Sequence, residues 1–279
     1  MKLVGFNVVW TVHQTVLPVD VVEEVAKEND LDISLLPRPT SKRAILRAAK
    51  DVSKTNGRFI SDYVRKITDN VEKYSVGILH EDKDKENDQV EATQTTTVKY
   101  LKEFGLVEVS GEKAEEFNNA YENYKDGITD EEIRSYIVRI IRVEGYGIAV
   151  RPTGGVYFVP VNKEKTIDNL NKFLNTLGIG NLYPMRVFQG KNEETVVRQA
   201  VDHDIQRQLE LLMNNVSSVT KRVKCLHQKR EKMEDLEKML KTYETVLGWE
   251  NELETSLKAI KEADKMVSEK INELTVKKS

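Results

Sequence analysis

The chain has 279 residues, enough for one large domain or two modest ones. Its net charge of −3 gives no global argument for binding nucleic acid or an acidic membrane surface. The charged fraction of 32% is high, as expected if about a third of the chain is solvated helix. The single cysteine, Cys225, excludes an internal disulfide and a cysteine-based zinc site within one chain, and it indicates a reducing compartment.

The N-terminus predicts a strand rather than a signal peptide. Its apolar residues alternate with period two, which buries one face of a strand: Val4, Phe6, Val8, Trp10 and Val12. No segment approaches the roughly 18 apolar residues that a membrane span needs. We therefore expect a soluble, cytoplasmic protein with no membrane partner.

The first 110 residues mix helical and β patterns. Helices are predicted near Asp20–Glu28 and over Lys42–Val52. Residues 58–100 favour a three-stranded antiparallel meander that includes the charged loop Glu81–Asp88. A helix over residues 59–68 remains open, because the apolar residues there also fit a spacing of three and four.

Residues 111–190 repeat this mixture. Thr129 and Glu132 form a capping box that opens a helix, and Gly154-Gly155 separates two β-rich runs as in a tight hairpin. The predicted elements are a helix over Glu112–Lys125, a helix from Asp130 to about Arg142, a hairpin over residues 148–161, a helix over Lys163–Leu177 and a strand over Tyr183–Gln189.

The last third of the chain predicts a coiled coil. It contains no proline and a single glycine, Gly248, where a break is expected, so the tail is either one rod or a folded-back hairpin. The apolar seam comprises Ile205, Leu209, Leu212, Val216, Val219, Val223 and Leu226, with Leu240 and Leu247 in a shifted frame. The predicted fold class is α+β with antiparallel sheets and packed helices in residues 1–190, with possible subdomains 1–110 and 111–190. A long helical coiled-coil tail follows in residues 191–279.

Three short motifs resemble an uncharacterised family of prokaryotic and viral proteins. They are Trp10 on the first strand, Leu35-Leu36-Pro37 before a basic helix, and residues 151–160, RPTGGVYFVP. The resemblance covers roughly the first 190 residues. The family has no assigned activity, so the resemblance implies no chemistry for this chain.

Two basic segments are candidate phosphate contacts. The first contains Arg38, Lys42, Arg43, Arg47 and Lys50, and the second contains Lys221, Arg222, Lys224, Lys229, Arg230 and Lys232. Cations at helical spacing suit a nucleic-acid backbone. The alternative is that the first set pairs with acids elsewhere and the second set pairs with acids on a neighbouring helix.

Sites for catalysis, cofactors or metals are not evident. Asp202-His203-Asp204 offers metal-ligand types, but consecutive helical residues point about 100° apart and do not converge. Gly154-Gly155 lacks the Gly-Lys-Ser/Thr of a phosphate loop.

The leading hypothesis is a non-enzymatic assembly protein whose tail oligomerises or docks another helical protein. A nucleic-acid-binding protein is the alternative. A metal-dependent enzyme such as a nuclease comes third.

Overall fold

A computed structural model describes residues 1–53, 60–70, 72–83, 90–151, 153–214, 216, 223–249 and 253–276. The chain divides into two compact units. Unit 1 comprises Met1–Thr11 and Ile137–Ser279, and unit 2 comprises Val12–Tyr136. The boundary predicted at residue 190 falls inside unit 1, so the C-terminal helices belong to the same unit as residues 137–190.

Strands and helices alternate irregularly along the chain. The strands are β1 (Leu3–Val12), β2 (Val16–Pro18), β3 (Ile60–Asp69), β4 (Lys73–Lys83), β5 (Val90–Leu101), β6 (Leu106–Gly111), β7 (Gly127–Thr129), β8 (Ile148–Ala149), β9 (Tyr157–Pro160) and β10 (Gly180–Phe188). The α-helices are α1 (Val19–Glu28), α2 (Ser41–Val52), α3 (Ala114–Lys125), α4 (Asp130–Val143), α5 (Glu164–Leu177), α6 (Lys191–Met213), α7 (Val223–Leu247) and α8 (Glu254–Val276). These antiparallel sheets and packed helices confirm the predicted α+β class.

Unit 2 is built on an antiparallel sheet in the order β3-β4-β5-β6. Val76 on β4 lies opposite Val98 on β5, and both are fully buried. Helices α2 and α3 supply the apolar residues that complete this core. The buried set is Ile45, Ala48, Ala49, Tyr74, Val76, Ile78, Val98 and Phe117. Period-two alternation in the strands and period-3.6 spacing in the helices together account for this layer.

The sheet of unit 2 extends the predicted meander. The helical alternative for residues 59–68 is wrong, because β3 runs as a strand over Ile60–Asp69 and pairs with β4. Strand β6, which was not predicted from the sequence, pairs antiparallel with β5. Strand β4 continues to Lys83, into the segment predicted as a charged loop, and residues 84–88 of that loop lie outside the described residues.

Unit 1 contains a second antiparallel sheet, in the order β10-β1-β9-β8. On β1 the residues Val4, Phe6 and Val8 are buried, as the alternation predicts. The predicted hairpin at Gly154-Gly155 is present. Both glycines have positive φ, 78° and 85°, and the N–H of Val150 donates to the carbonyl of Val156 at 2.9 Å. Pro152 lies outside the described residues.

The described part of the C-terminal third forms separate helices, α6, α7 and α8. Helix α6 ends at Met213, directly before the weak helix formers Asn214 and Asn215, and α7 ends at Leu247, directly before Gly248. Gly248 has a φ of 71°, which favours glycine at a helix end. The described residues therefore do not show the long coiled-coil rod. α7 and α8 instead pack together within unit 1, and Nε of Arg230 lies 3.3 Å from Oδ1 of Asp264 between them.

The predicted seam is buried within unit 1. Its residues Ile205, Leu209, Val216, Leu226, Leu240 and Leu247 belong to one core cluster, and Leu212 and Val223 pack against it. The sheet residues Val4, Ile148 and Phe158 belong to the same cluster. The seam therefore covers its apolar surface with its own sheet and helices. Val219 lies outside the described residues. Among the described helices, none combines the length and apolar character of a membrane span.

Candidate docking groove

The candidate site in unit 1 is an open groove between helices α4, α6 and α7. It encloses about 430 Å³, within the range of about 300–1,000 Å³ that is typical of ligand sites. Each helix contributes residues spaced three and four apart, which lie on one helical face. They are Arg139, Arg142 and Val143 from α4, Arg207, Gln208, Leu211 and Leu212 from α6, and Lys232, Asp235, Leu236, Lys238 and Met239 from α7.

The floor of the groove is apolar and partly open to solvent. Leu236 and Met239 are buried at its base. Two further apolar residues of the lining are open to solvent: Leu211 is 65% exposed and Val143 is 52% exposed. Large apolar side chains that stay exposed within one concave surface are typical of sites where another molecule binds.

The lining of the groove carries an excess of positive charge. Its cations are Arg139, Arg142, Arg207, Lys232 and Lys238, and among the described residues the one carboxylate lining it is that of Asp235. Lys238 lies 3.2 Å from Asp235, and both side chains are more than 60% exposed, so this pair contributes little to stability. Even when the buried carboxylate of Asp204, which pairs with Arg142, is counted as well, five cations stand against two carboxylates, and this formal excess favours an anionic or acidic occupant.

A buried ion pair positions one wall of the groove. Nη2 of Arg142 donates to Oδ1 of Asp204 at 3.2 Å, and Nε2 of Gln208 donates to Oδ2 of Asp204 at 2.8 Å. The Asp204 side chain is only 2% exposed, so its charge requires these donors. The guanidinium of Arg142 also lies 5.6 Å from the ring centroid of Tyr157. Arg142 is thereby fixed between α4, α6 and β9.

The end of the groove near Tyr146 and Gly147 is held by a buried tyrosine. The hydroxyl of Tyr243 on α7 donates to the carbonyl of Tyr146 at 2.7 Å and lies 3.3 Å from the carbonyl of Phe158. Burial raises the pKa of Tyr243 well above its usual value, so this hydroxyl keeps its proton and remains a donor in alkaline solution as well as at neutral pH. Nζ of Lys163 lies 4.0 Å from the ring centroid of Tyr146. These contacts fix the turn that follows α4.

Four of the five cations in the first basic segment pair with acids. Arg38 contacts Glu23, and Lys42 contacts Asp69. Arg47 lies 2.9 Å and Arg43 lies 3.6 Å from the carboxylate of Glu132, which is also the capping-box residue of α4.

Lys50, the fifth cation of that segment, is exposed. The other four cations pair with acids, which is the alternative to phosphate binding that was expected for this segment. Phosphate binding there stays a prediction.

The cations of the second basic segment have separate roles. Nζ of Lys229 donates to the carbonyls of Leu212 and Asn214 at the end of α6. Arg230 contacts Asp264 on α8, as expected for pairing with a neighbouring helix, and Lys232 lines the groove. Lys224 is exposed, whereas Lys221 and Arg222 lie outside the described residues.

The Asp202-His203-Asp204 triplet does not converge. Asp202 accepts a hydrogen bond from Ser256 on α8 at 3.0 Å, Asp204 faces Arg142, and His203 is exposed. Within the described residues there is no group of three or more His, Cys, Asp or Glu side chains arranged to hold a metal.

Sequence patterns alone did not identify the residues that line the groove on α4 and α6. The available signal was an apolar residue outside the core pattern. Val143 lies beyond the core face Ile133–Ile141, and Leu211 lies next to Leu212 but outside the seam. Such residues mark a second apolar face, but only the packing of the three helices shows that these faces meet.

Comparisons with known proteins identify a family and nothing closer. Neither the curated proteins nor the solved structures contain a significant match. The sequence model of a family of unknown function, DUF6744, matches residues 3–276. That span includes every residue of the groove, and the resemblance to an uncharacterised family is confirmed. The chain therefore belongs to this family of unknown function.

Proposed function

We propose that the chain is a non-enzymatic interaction protein that docks a partner through its C-terminal helices. The observation that supports this most is the open groove in which Leu211 and Val143 are half or more exposed. Full burial of a leucine or valine contributes about 1.5–3 kcal/mol. Covering these two side chains therefore provides part of the free energy of association.

The walls of the groove also suit this role. The Arg142–Asp204 pair and the Tyr243 hydroxyl hold the helices and the turn around an open surface. A surface that is already ordered loses less conformational entropy on binding. The groove therefore favours the binding of a partner segment over a rearrangement of the helices themselves.

Peptide display tests the proposal even when the partner has not been identified. The full-length chain is used to select binders from a random library of peptides about 20 residues long. Each enriched peptide is then tested against Leu211→Gln and against a matched variant, Met266→Gln, on the exposed surface of α8. We expect enriched peptides to lose binding to Leu211→Gln and to retain it with Met266→Gln. Peptides that bind all three proteins equally would contradict docking at the groove.

Self-association through coiled-coil pairing is the alternative form of this proposal. It requires the seam residues to leave the core that they share with Val4, Ile148 and Phe158. Each residue exposed in this way costs about 1.5–3 kcal/mol before any new pairing offsets it. We therefore expect a monomeric mass by light scattering for the full chain. A mass that rises with protein concentration would favour the coiled-coil form.

A further inference from the structure

We infer that the occupant of the groove is an acidic amphipathic helix from a partner protein. This inference rests on the proposed function and specifies its partner. It depends on three observations: the shape of the groove, its apolar floor and the charges of its lining.

The shape of the groove suits a helix. Three helices line it, each with one face of residues spaced three and four apart. Helices pack with their axes about 8–10 Å apart by inserting such rows of side chains into the spaces between the rows of a neighbour. A fourth helix can continue this packing and presents its own apolar residues at i, i+3, i+4 and i+7.

The floor specifies the apolar side of that helix. Leu211 and Val143 are exposed on two of the walls, and Met239 lies at the base. Methionine is flexible and fills irregular gaps, so it adapts to different apolar anchors. The anchors are therefore leucine-like or phenylalanine-like side chains rather than polar groups.

The charged residues of the lining, which form the rim of the groove, specify the charged side of the incoming helix. In the described part of the chain, the lining holds five cations, Arg139, Arg142, Arg207, Lys232 and Lys238, against two carboxylates: Asp235, which lies beside Lys238, and the buried Asp204, which pairs with Arg142. Glutamate or aspartate on the flanks of the incoming helix would face these cations. A second copy of the chain that used the same groove would bring two cationic rims together, which is unfavourable.

The test uses two designed peptides and the full-length protein. Both peptides are fluorescein-labelled, helix-forming and about 20 residues long, since shorter helices are marginal in water. Both carry leucine at i, i+3, i+4 and i+7. One has glutamate on its flanks and the other has lysine. Binding is measured by fluorescence anisotropy.

We expect the acidic peptide to bind at least about tenfold more tightly than its lysine sibling at about 0.1 M salt, since several rim pairs each add a small amount. The difference should shrink towards about 1 M salt, where the screening length falls to about 3 Å. Leu211→Gln should weaken the binding of both peptides, whereas Met266→Gln should weaken neither.

Charge reversal gives the decisive comparison. The double variant Lys232→Glu, Lys238→Glu should reduce or invert the preference for the acidic peptide. A matched variant on α8, Lys265→Glu, should leave the preference unchanged, because Lys265 is exposed outside the groove. Both positions on α7 are exposed, so circular dichroism should show wild-type helix content for the double variant.

The remaining outcomes overturn the inference. Equal binding of the two peptides, binding of neither peptide, or displacement of the acidic peptide by duplex DNA at the groove would each contradict an acidic helix as the occupant. The display selection separates this failure from failure of the proposed function. If the selected peptides depend on Leu211 but are neutral or basic, the proposed docking function stands and only the inference of an acidic partner is rejected.

Discussion

Nη2 of Arg142 on α4 lies 3.2 Å from Oδ1 of Asp204 on α6, and the two residues are 62 positions apart in the chain. The Asp204 side chain is almost fully buried, whereas that of Arg142 is 23% exposed and reaches the groove. One ion pair thus joins two of the three helices that line the groove and holds a cation at its surface.

Asp204→Ala should destabilise unit 1 because it leaves Arg142 partly buried without its carboxylate. Breaking a buried pair by removing one partner costs about 3–5 kcal/mol, and the partial exposure of Arg142 places this case at the lower end, about 3 kcal/mol. Urea denaturation measures the loss.

The matched control is the double variant Arg142→Leu, Asp204→Leu. Apolar replacement of both partners often restores stability, so it should recover most of the loss. A double variant as unstable as Asp204→Ala would show that the packing of these side chains, rather than the charge pair, is what matters.

Tyr243→Phe should cost about 1–2 kcal/mol, because it removes the donor to the carbonyl of Tyr146 and leaves that carbonyl unsatisfied. Thermal or urea unfolding measures the change. Tyr183→Phe provides the control, since Tyr183 is 47% exposed on β10. Similar effects from the two substitutions would contradict a specific role for the Tyr243 hydroxyl.

Local patterns in the sequence predicted the elements that local chemistry determines. The alternation of Val4, Phe6 and Val8 predicted β1, and the Thr129/Glu132 capping box predicted the start of α4. In both cases the structural signal lies within a few neighbouring residues. The positive φ at Gly154-Gly155 is likewise set by the turn itself.

The groove and the burial of the seam could not be predicted in this way. An apolar stripe such as Ile205, Leu209 and Leu226 has the same spacing whether it packs on another chain or on its own sheet. The choice depends on Val4, Ile148 and Phe158, which are distant in the sequence. The Arg142–Asp204 pair likewise joins two helices, and nothing in the sequence near either residue indicates that these helices are neighbours in space.

Gly5→Ala should destabilise unit 1 because β1 and β9 approach closely there. A Cβ on Gly5 would lie 2.4 Å from the carbonyl oxygen of Val159 and 2.6 Å from Cζ of Phe158. The backbone must move to accommodate it, at a cost of about 3 kcal/mol.

Gly105→Ala offers a matched comparison for Gly5→Ala. Gly105 has a φ of 62°, but no described atom lies within 4 Å of the position that an alanine Cβ would take. Only backbone strain of about 1 kcal/mol is therefore expected. Equal losses in urea unfolding would argue against the close approach at Gly5.

Tyr124→Phe should alter the alkaline stability of unit 2. The pKa of Tyr124 is raised from 10.0 to about 12; burial is the largest cause, and the hydrogen bond to Asp51 is the second. Between these values the folded chain keeps the proton that the unfolded chain has lost, so stability from this group is complete below about pH 10 and falls as the pH rises towards about 12. The stability difference between wild type and Tyr124→Phe should be constant below about pH 10 and should shrink above it.

Urea midpoints across this pH range provide the measurement, with Tyr183→Phe as the control. Burial also raises the pKa values of Tyr74, Tyr121 and Tyr243, but these residues are present in both proteins and their effects cancel in the comparison. Parallel decline of wild type and Tyr124→Phe up to about pH 12 would contradict the raised pKa of Tyr124, because a tyrosine with its ordinary pKa titrates equally in the folded and unfolded chains.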